Sequence, residues 1–376
     1  MPLIQLSEVT VYPEGTFFPK KGSGLLNRFG LGRAEDLRPE EPPRPILEDL
    51  TLTIRSRETL AVLGPSGAGK TTLLKLAAGL IKPHSGSVTY NQKPVEEVHI
   101  RERRIGMIFQ GQALYQNMTS EQNIGFYHAI RNQPEEIPKR IRDVSRLMDV
   151  DLEPLLARKP PKLSGGENQR VAIARALARD VDIFLFDEPL SNLDAKLREH
   201  LRRAMKRIFS MYPVTTLYVT HDQAEAMAVA DRVAVLRDGR LEQLGSAMEI
   251  YARPDNVFVA DFLGGCNLLP GVIREGRWVY NDLSLDPPPA RAREGGRITL
   301  GIRPADFVPD ENGPLEIQVL KQTPLLDRHA IQVEGFLEGQ PVTAEIPQEM
   351  EIGDWIRASA EKVYWFDTDS GKRLRF

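Results

Sequence analysis

The chain has 376 residues, 41% hydrophobic and 27% charged, with 49 Lys and Arg against 52 Asp and Glu for a net charge of −3. These are the proportions of a soluble globular chain of two or three domains, and they give no bulk reason to expect nucleic acid or a basic partner. The only cysteine, Cys266, excludes an intramolecular disulfide and a Cys-based zinc site, fits a reducing setting, and reads as a small buried hydrophobe.

The first residues, Met1 to Leu6, lack the basic and long apolar regions of a signal peptide. No apolar run in the chain approaches the roughly 18 residues that span a bilayer, so any work at a membrane is expected to use one supplied by a partner. Ile4 to Tyr12 alternates and predicts a strand; Ile46 to Ile54 predicts the next, and the two are expected to pair. Between them, residues 13–45 hold six prolines, several glycines and mixed charges, the composition of an extended surface loop. A docking element is the other reading, because Leu25, Leu26, Phe29 and Leu31 cluster between Arg28 and Arg33.

Leu60 to Leu63 is a short apolar run that predicts a buried strand, and Leu73, Leu74, Leu76, Ala77 and Leu80 recur at helical spacing. Between strand and helix lies Gly64-Pro65-Ser66-Gly67-Ala68-Gly69-Lys70-Thr71-Thr72, which fits the Walker A pattern in full. The glycines let backbone N–H groups turn inward, and the helix start adds unpaired donors and the positive end of a dipole. A polyphosphate fits such a loop, with Lys70 reaching the β- and γ-phosphates and the Thr71 hydroxyl ligating Mg²⁺. A glycine-rich turn that merely precedes Lys-Thr is the competing reading, opposed by the strand and helix on either side.

Ser87 to Tyr90 predicts a short strand and Arg104 to Phe109 a longer one, ending at Gln110. Ligands gather at the carboxyl ends of strands in α/β sheets, so Gln110 is a candidate for the phosphate or its metal, with a plain surface glutamine as the alternative. Residues from about 112 to 162 carry helical spacing, with Ile141, Val144, Leu147 and Met148 on one face, and predict a helical subdomain. Ser164-Gly165-Gly166-Glu167 then opens another helix with a capping-box pattern. Two glycines in its first turn leave backbone donors open, which a merely capped helix would not require, so this is a second candidate anion site.

Ile183 to Phe186 is wholly apolar, as in a strand buried on both faces, and it delivers Asp187 and Glu188 at its carboxyl end. Asp187 is suited to the Mg²⁺ shell and Glu188 to deprotonating a water; a helix N-cap pair is the plainer alternative. Thr216 to Thr220 predicts another strand, ending at His221, which the same topology brings near the γ-phosphate. A structural or solvated histidine is the plainer reading there. Val233 to Leu236 and the turn Arg237 to Arg240 close the core.

Taken together, residues 1 to about 245 resemble the ATPase subunits of ABC transporters. Gly64 to Thr72 is similar to Walker A, Gln110 to the Q-loop, Leu163 to Glu167 to the signature motif, and Asp187 and Glu188 to Walker B with its catalytic glutamate. Ser191 to Asp194 resembles the D-loop and His221 the switch histidine; one departure is Glu167, where the signature usually carries glutamine. The resemblance implies binding and hydrolysis of ATP with Mg²⁺, held by Thr71, Gln110 and Asp187. It implies an adenine-stacking aromatic at Tyr12, or at Phe17 or Phe18 in the insert, and two cassettes meeting head to tail. Each ATP would then lie between one subunit's P-loop and the other's Ser164 to Gly166, with Asp194 near the junction.

Ala247 to Phe262 has helical spacing, and beyond Asn267 the pattern turns to short strands: Arg297–Ile302, Leu315–Leu320, Ala330–Val333, Val342–Ile346 and Trp355–Ala360. The expected fold is thus an α/β P-loop core over residues 1–245, followed over 246–376 by a small all-β, OB-like domain. Leu263 to Asn267 and Gly301 to Pro304 resemble the C-terminal TOBE domain of the ATPases of maltose, polyamine and ferric-iron importers. That resemblance implies dimer contacts and regulation by the tail, two membrane permease subunits, an extracytoplasmic binding protein, and a location at the cytoplasmic face of the membrane. Ala113-Leu114-Tyr115 leans toward carbohydrate import, with polyamine or ferric iron as alternatives. No nucleic-acid partner is expected: a DNA-repair or translation ATPase would carry two cassettes or a long coiled coil, and no sustained heptads occur. A regulator that binds nucleotide without hydrolysis is opposed by Glu188 and His221.

Overall fold

The computed structural model describes residues 3–13, 43–108, 114–191, 193–212, 214–286 and 293–374. They form two compact units that divide between Ala247 and Met248. In chain order the first runs β1 (Ile4–Val11), β2 (Leu47–Ile54), β3 (Thr59–Leu63), α1 (Lys70–Ala77), β4 (Ser85–Tyr90), β5 (Lys93–Pro94) and β6 (Ile105–Ile108). Then come α2 (Ser120–Ala129), α3 (Ile137–Met148), α4 (Glu153–Leu156), α5 (Gly165–Leu177), β7 (Ile183–Asp187), α6 (Ala195–Met211), β8 (Thr215–Val219), α7 (Gln223–Val229), β9 (Arg232–Arg237) and β10 (Arg240–Gly245).

The strands that are apolar without alternation, β3, β7 and β8, are buried along their whole length and take the middle of a six-stranded sheet ordered β10-β9-β3-β8-β7-β6. All are parallel except β10, which returns from β9 through Asp238 and Gly239, both at positive φ. Alternation marks β1 instead, and it slips at Glu8, whose φ of 50° accompanies a bulge against β2. That strand pairs antiparallel with β2, as its pattern predicts, and with β4 in a second sheet ordered β2-β1-β4-β5. Ile4, Leu6, Leu50 and Leu52 of this sheet share one core with Leu60 and Val62 of β3 and with Leu73, Leu74 and Leu76 of α1. Each such fully buried side chain stabilises the unit by about 1.5–3 kcal/mol.

A second core joins the other face of the large sheet to the helices. Ile141, Val144 and Met148 of α3 are buried there, as their spacing predicts, with Val171 and Ile173 of α5 and Leu201, Met205 and Ile208 of α6. Arg103 fastens the end of α1: its guanidinium donates to Ala78 O at 2.9 Å, Gly79 O at 3.0 Å, Val95 O at 3.0 Å and Val98 O at 3.0 Å. The insert's residues 14–42 lie outside the described residues. Among the described residues no helix is long and apolar enough to cross a membrane.

The second unit opens with α8 (Ala247–Ala252) and α9 (Val257–Phe262). The single helical stretch expected from Ala247 to Phe262 is interrupted because Pro254 cannot donate to the helix ladder; Asn256 restarts it, its Oδ1 accepting from Val259 N at 2.9 Å. Ten strands follow: β11 (Asn267–Arg274), β12 (Arg277–Tyr280), β13 (Leu283–Leu285), β14 (Arg297–Ile302), β15 (Phe307–Pro309), β16 (Leu315–Leu325), β17 (Ala330–Leu337), β18 (Gln340–Pro347), β19 (Trp355–Ala360) and β20 (Tyr364–Asp367). They make two five-stranded antiparallel sheets, β13-β12-β11-β14-β20 and β15-β19-β16-β17-β18, around a core that includes Trp278, Leu300, Phe307, Ile317 and Ala344. The expected barrel-like tail is thus an all-β unit of two sheets, with five strands more than the sequence pattern marks.

Arg303, between β14 and β15, is 1% exposed. Its guanidinium donates to Tyr251 O at 2.8 Å, to Leu263 O and to Tyr364 Oη at 3.3 Å, and stacks 3.9 Å from the Tyr251 ring centroid. One side chain therefore ties α8 and the end of α9 to β20. Cys266 is buried beside it, as expected of a small hydrophobe, and burial pushes its thiol up to about 12.

Candidate active site

Strand register brings the predicted residues to one edge. Val62 of β3 pairs with Val219 of β8, and Val219 pairs with Asp187 of β7. The chain positions that follow these three, Gly64, His221 and Glu188, therefore leave the sheet side by side at its carboxyl ends.

Gly64 passes so close to β9 that a Cβ there would stand 2.3 Å from Leu236 O. Gly69 precedes α1 at φ 94°, and a Cβ on it would meet Leu47 Cδ2 at 2.6 Å and Ile46 O at 2.8 Å, so two positions of the loop demand glycine for different reasons. Pro65, Ser66, Gly67 and Ala68 complete the turn, and Thr72 continues the helix that Lys70 and Thr71 begin. The Lys70 ammonium is buried and donates to Gly64 O at 2.8 Å and Pro65 O at 2.9 Å. Burial lowers its pKa below the ordinary lysine value, while Glu188 and Asp187 pull it back up. A lysine whose bonds among the described residues are to carbonyls of its own loop is a cation seated where an anion can replace those acceptors.

The Thr71 hydroxyl donates to Asp187 Oδ1 at 3.2 Å. Asp187 is 3% exposed, and burial first, then the Glu188 charge, raises its pKa above the usual carboxylate range against the Thr71 hydrogen bond and two lysines. A raised carboxyl pKa favours the protonated form in the fold: the stability it contributes is present at low pH and is lost as pH rises through the folded-state value. Replacing Asp187 by Asn removes the charge at similar shape, so the nucleotide-free protein is expected to melt roughly 2 to 4 °C higher at neutral pH while losing turnover. Thermal melts without nucleotide check this, and a lower melting temperature would show that Asp187 stabilises the empty fold. Hard cations bind oxygen, and Thr71 with Asp187 supplies two such atoms on adjoining elements, which fits Mg²⁺ that keeps water and phosphate as its other ligands. Among the described residues no group of three His, Cys, Asp or Glu side chains forms a protein-only metal cage.

Glu188 takes φ 48°, a left-handed conformation unusual for this residue type. Its N–H donates to Val219 O at 2.9 Å, its carbonyl accepts from Ser191 Oγ at 3.0 Å, and its Oε1 lies 3.0 Å from His221 Nδ1. The carboxylate is mostly covered and the imidazole about half exposed. Neither Asp187 nor Glu188 caps a helix, which removes the plainer alternative for that pair. Behind His221 stands a network that the motif pattern did not single out. Tyr218 Oη and Thr220 Oγ1 both donate to the buried Glu225 carboxylate, the second at 2.8 Å, while Thr220 Oγ1 accepts from Asp222 N at 3.0 Å. Its one sequence signal is Asp222 followed three residues later by Glu225, and Asp222 does cap α7, accepting from Glu225 N at 3.0 Å.

The second candidate site opens α5. Ser164 Oγ accepts from Glu167 N at 3.2 Å and Glu167 Oε2 accepts from Ser164 N at 2.7 Å, the reciprocal capping box that the sequence predicts. Among the described residues no heavy atom lies within 4 Å of a Cβ built at Gly165, whereas one at Gly166 would reach Leu197 Cδ2 at 3.4 Å. Asp194 caps α6, its Oδ1 accepting from Leu197 N at 2.9 Å. Tyr12 follows β1 and packs edge-on to His84 with centroids 5.4 Å apart. Gln110, Ala113, Asn192, Phe17 and Phe18 lie outside the described residues.

Comparison with known proteins identifies the family. Residues 47–191 match the family model described as "ABC transporter". The sn-glycerol-3-phosphate import ATP-binding protein of Ruegeria pomeroyi is 38% identical over 88% of this chain and 95% of its own length. The lactose transport ATP-binding protein of Rhizobium radiobacter is 37% identical over 91% and 99%, and the Fe(3+) ions import ATP-binding protein of Fusobacterium nucleatum 43% identical over 71% and 72%. Among solved structures, a dimeric ATP-binding cassette in a post-hydrolysis state with ADP and Pi aligns with 65% of this chain and 98% of its own, at TM-score 0.53 and 28% identity.

Proposed function

The chain belongs to the ATP-binding subunits of ABC importers, whose ATP hydrolysis is coupled to transport, and on that premise we propose that two copies form paired composite sites beneath two permease subunits. In each site the P-loop of one copy holds the β- and γ-phosphates through its backbone amides and Lys70. Mg²⁺, when bound, supplies positive charge to the phosphate oxygens, with Thr71, Asp187 and Gln110 as its protein ligands. Glu188 removes a proton from the attacking water, and His221, bonded to that carboxylate, keeps it aimed. Ser164 to Gly166 of the second copy close the phosphate from the far side, with Asp194 beside the junction. Tyr12 is the described aromatic positioned after β1 to stack on adenine.

One observation carries this reading above the rest. The side chains that meet at the sheet edge bond to each other, Thr71 with Asp187 and Glu188 with His221, whereas the Ser164 cap bonds to Glu167 on its own helix, away from that edge. A helix start of this kind, not joined to the sheet edge by any bond described above, suits an anion held by a second chain. If so, turnover needs two chains per site, and ATPase activity is expected to rise more steeply than linearly with protein concentration below the dimer dissociation constant. Phosphate release measured across dilutions tests this; strict proportionality would count against composite sites.

The permease is expected at a cleft of about 680 Å³ in the first unit, lined by exposed Leu80, Ile100 and Ile130 and by Arg101, Arg131 and Arg179. Apolar side chains ringed by cations suit a partner helix that is both apolar and acidic. This association also brings the protein to the cytoplasmic face of the membrane, and an extracytoplasmic binding protein delivers the solute. For that solute we favour a carbohydrate or a related polyol. The relatives named for glycerol-3-phosphate and lactose align over nearly their whole length, second unit included, while the one named for Fe(3+) covers 72% of itself.

A further inference from the structure

The signature position at which this chain carries glutamate is also where the structure adds a partner. Glu167 brings a negative charge to the first turn of α5, the turn whose amides would receive a polyphosphate. Left alone, that charge would repel the incoming anion, weakly through water and more strongly once the site is closed. Both its oxygens are engaged: Oε2 accepts from Ser164 N at 2.7 Å, and Oε1 accepts from Arg158 Nη1 at 2.9 Å. Arg158 is itself fixed. Its carbonyl accepts from Ser120 N at 2.8 Å and Ser120 Oγ at 3.0 Å at the start of α2, and its second terminal nitrogen donates to Lys162 O.

We propose that Arg158 is a positioning residue for the signature, neutralising and orienting the Glu167 carboxylate so that Ser164, at the start of α5, can receive the polyphosphate held by a second copy. This rests on the composite-site reading above. The chain of contacts is short: Arg158 fixes the plane of the carboxylate, the carboxylate fixes the Ser164 amide, and the Ser164 hydroxyl, already an acceptor from Glu167 N, keeps its proton for a ligand. Because the ion pair is partly exposed, with side chains 39% and 20% accessible, it contributes little to folding, and its effect falls on nucleotide rather than on stability. A glutamine at the same position would bond Ser164 N through its carbonyl without carrying a charge that needs an arginine. The dependence on Arg158 is thus specific to a glutamate signature.

The test is a double-mutant cycle on the full chain, reading kcat/KM for ATP and the melting temperature. In the native background, Arg158→Ala is expected to lower kcat/KM about tenfold with the melting temperature moved by less than about 2 °C, and Arg158→Lys to recover most of the loss. In the Glu167→Gln background the same Arg158→Ala change should cost less than about twofold. Equal losses in both backgrounds, or no loss in either, would overturn the proposal. Ser164→Ala, measured alongside, separates it from the reading it rests on. If Ser164→Ala retains full activity, the composite-site reading fails; if it is inactive while Arg158→Ala costs the same in both backgrounds, only the role of Arg158 fails.

Discussion

Replacing Glu188 by glutamine lowers ATP turnover by about 10²- to 10⁴-fold, the usual contribution of a positioned general base, and leaves ATP binding within about twofold of normal. The two halves of this expectation rest on different parts of the site. Binding depends on the loop from Gly64 to Thr72, which the substitution does not touch. Turnover depends on a carboxylate that can accept a proton, and an amide of the same shape cannot. The backbone around Glu188 is held on both sides, by Val219 O and by Ser191 Oγ, so the unusual φ persists in the variant and misfolding does not account for the loss. The amide can still bond to His221, which keeps the imidazole in position and isolates the loss of basicity. Phosphate release in steady state, set beside equilibrium binding of ATP, makes the measurement; a variant that turns over normally would remove Glu188 from the role of base.

The largest expected effect on stability lies in the second unit. Truncating Arg303 to alanine removes a buried guanidinium, strands the carbonyls of Tyr251 and Leu263 and the hydroxyl of Tyr364, and opens a void beneath the Tyr251 ring. A loss of about 3 kcal/mol follows from such a combination, or about 10 °C in the melting temperature of a unit this size. Lysine does not replace it, because one ammonium on a flexible stem cannot reach three acceptors that a planar fork meets at once. The chain provides its own reporter. Its three tryptophans, Trp278, Trp355 and Trp365, all belong to this unit, so tryptophan fluorescence follows its unfolding and not that of the P-loop unit. A transition that stays within about 2 °C of normal would show that the bonds of Arg303 are dispensable.

What the sequence made legible were features that a few neighbouring residues determine. The apolar runs at Leu60 and Ile183 can only be strands covered on both faces, and they are; Ser164 and Glu167 make both bonds of the capping box that their spacing spells. The family and its α/β core followed from the same local signals. Features set by distant partners were not legible. Nothing in a run of residues says that β3 lies beside β8, yet that adjacency is what aligns Gly64, Glu188 and His221. Glu225 is not singled out by its pattern and Arg303 is marked only within the run Gly301 to Pro304, because charged residues are rarely buried and only the folded surroundings reveal the hydroxyls and carbonyls that receive them. In β11, Pro270 and Gly271 interrupt the apolar pattern and hid the strand, which still pairs with β14 through six residues from Asn267 to Val272. The turn at Pro254 divided what helical spacing alone had joined.

The clamp of Arg103 on the end of α1 gives this short helix a mechanical meaning. Its first residue is Lys70, at the phosphate loop; its last carbonyls, Ala78 and Gly79 included, are gripped by an arginine that also lines the cleft proposed for the permease. Eight residues at about 1.5 Å each make a strut some 12 Å long, pinned at both ends. Any displacement of the loop by nucleotide would be carried along this strut to the wall of the cleft. Thermodynamic reciprocity then requires that whatever occupies the cleft and favours one position of the strut alters nucleotide affinity by the same factor, so a docked partner and the nucleotide would read each other through a lever of about two turns.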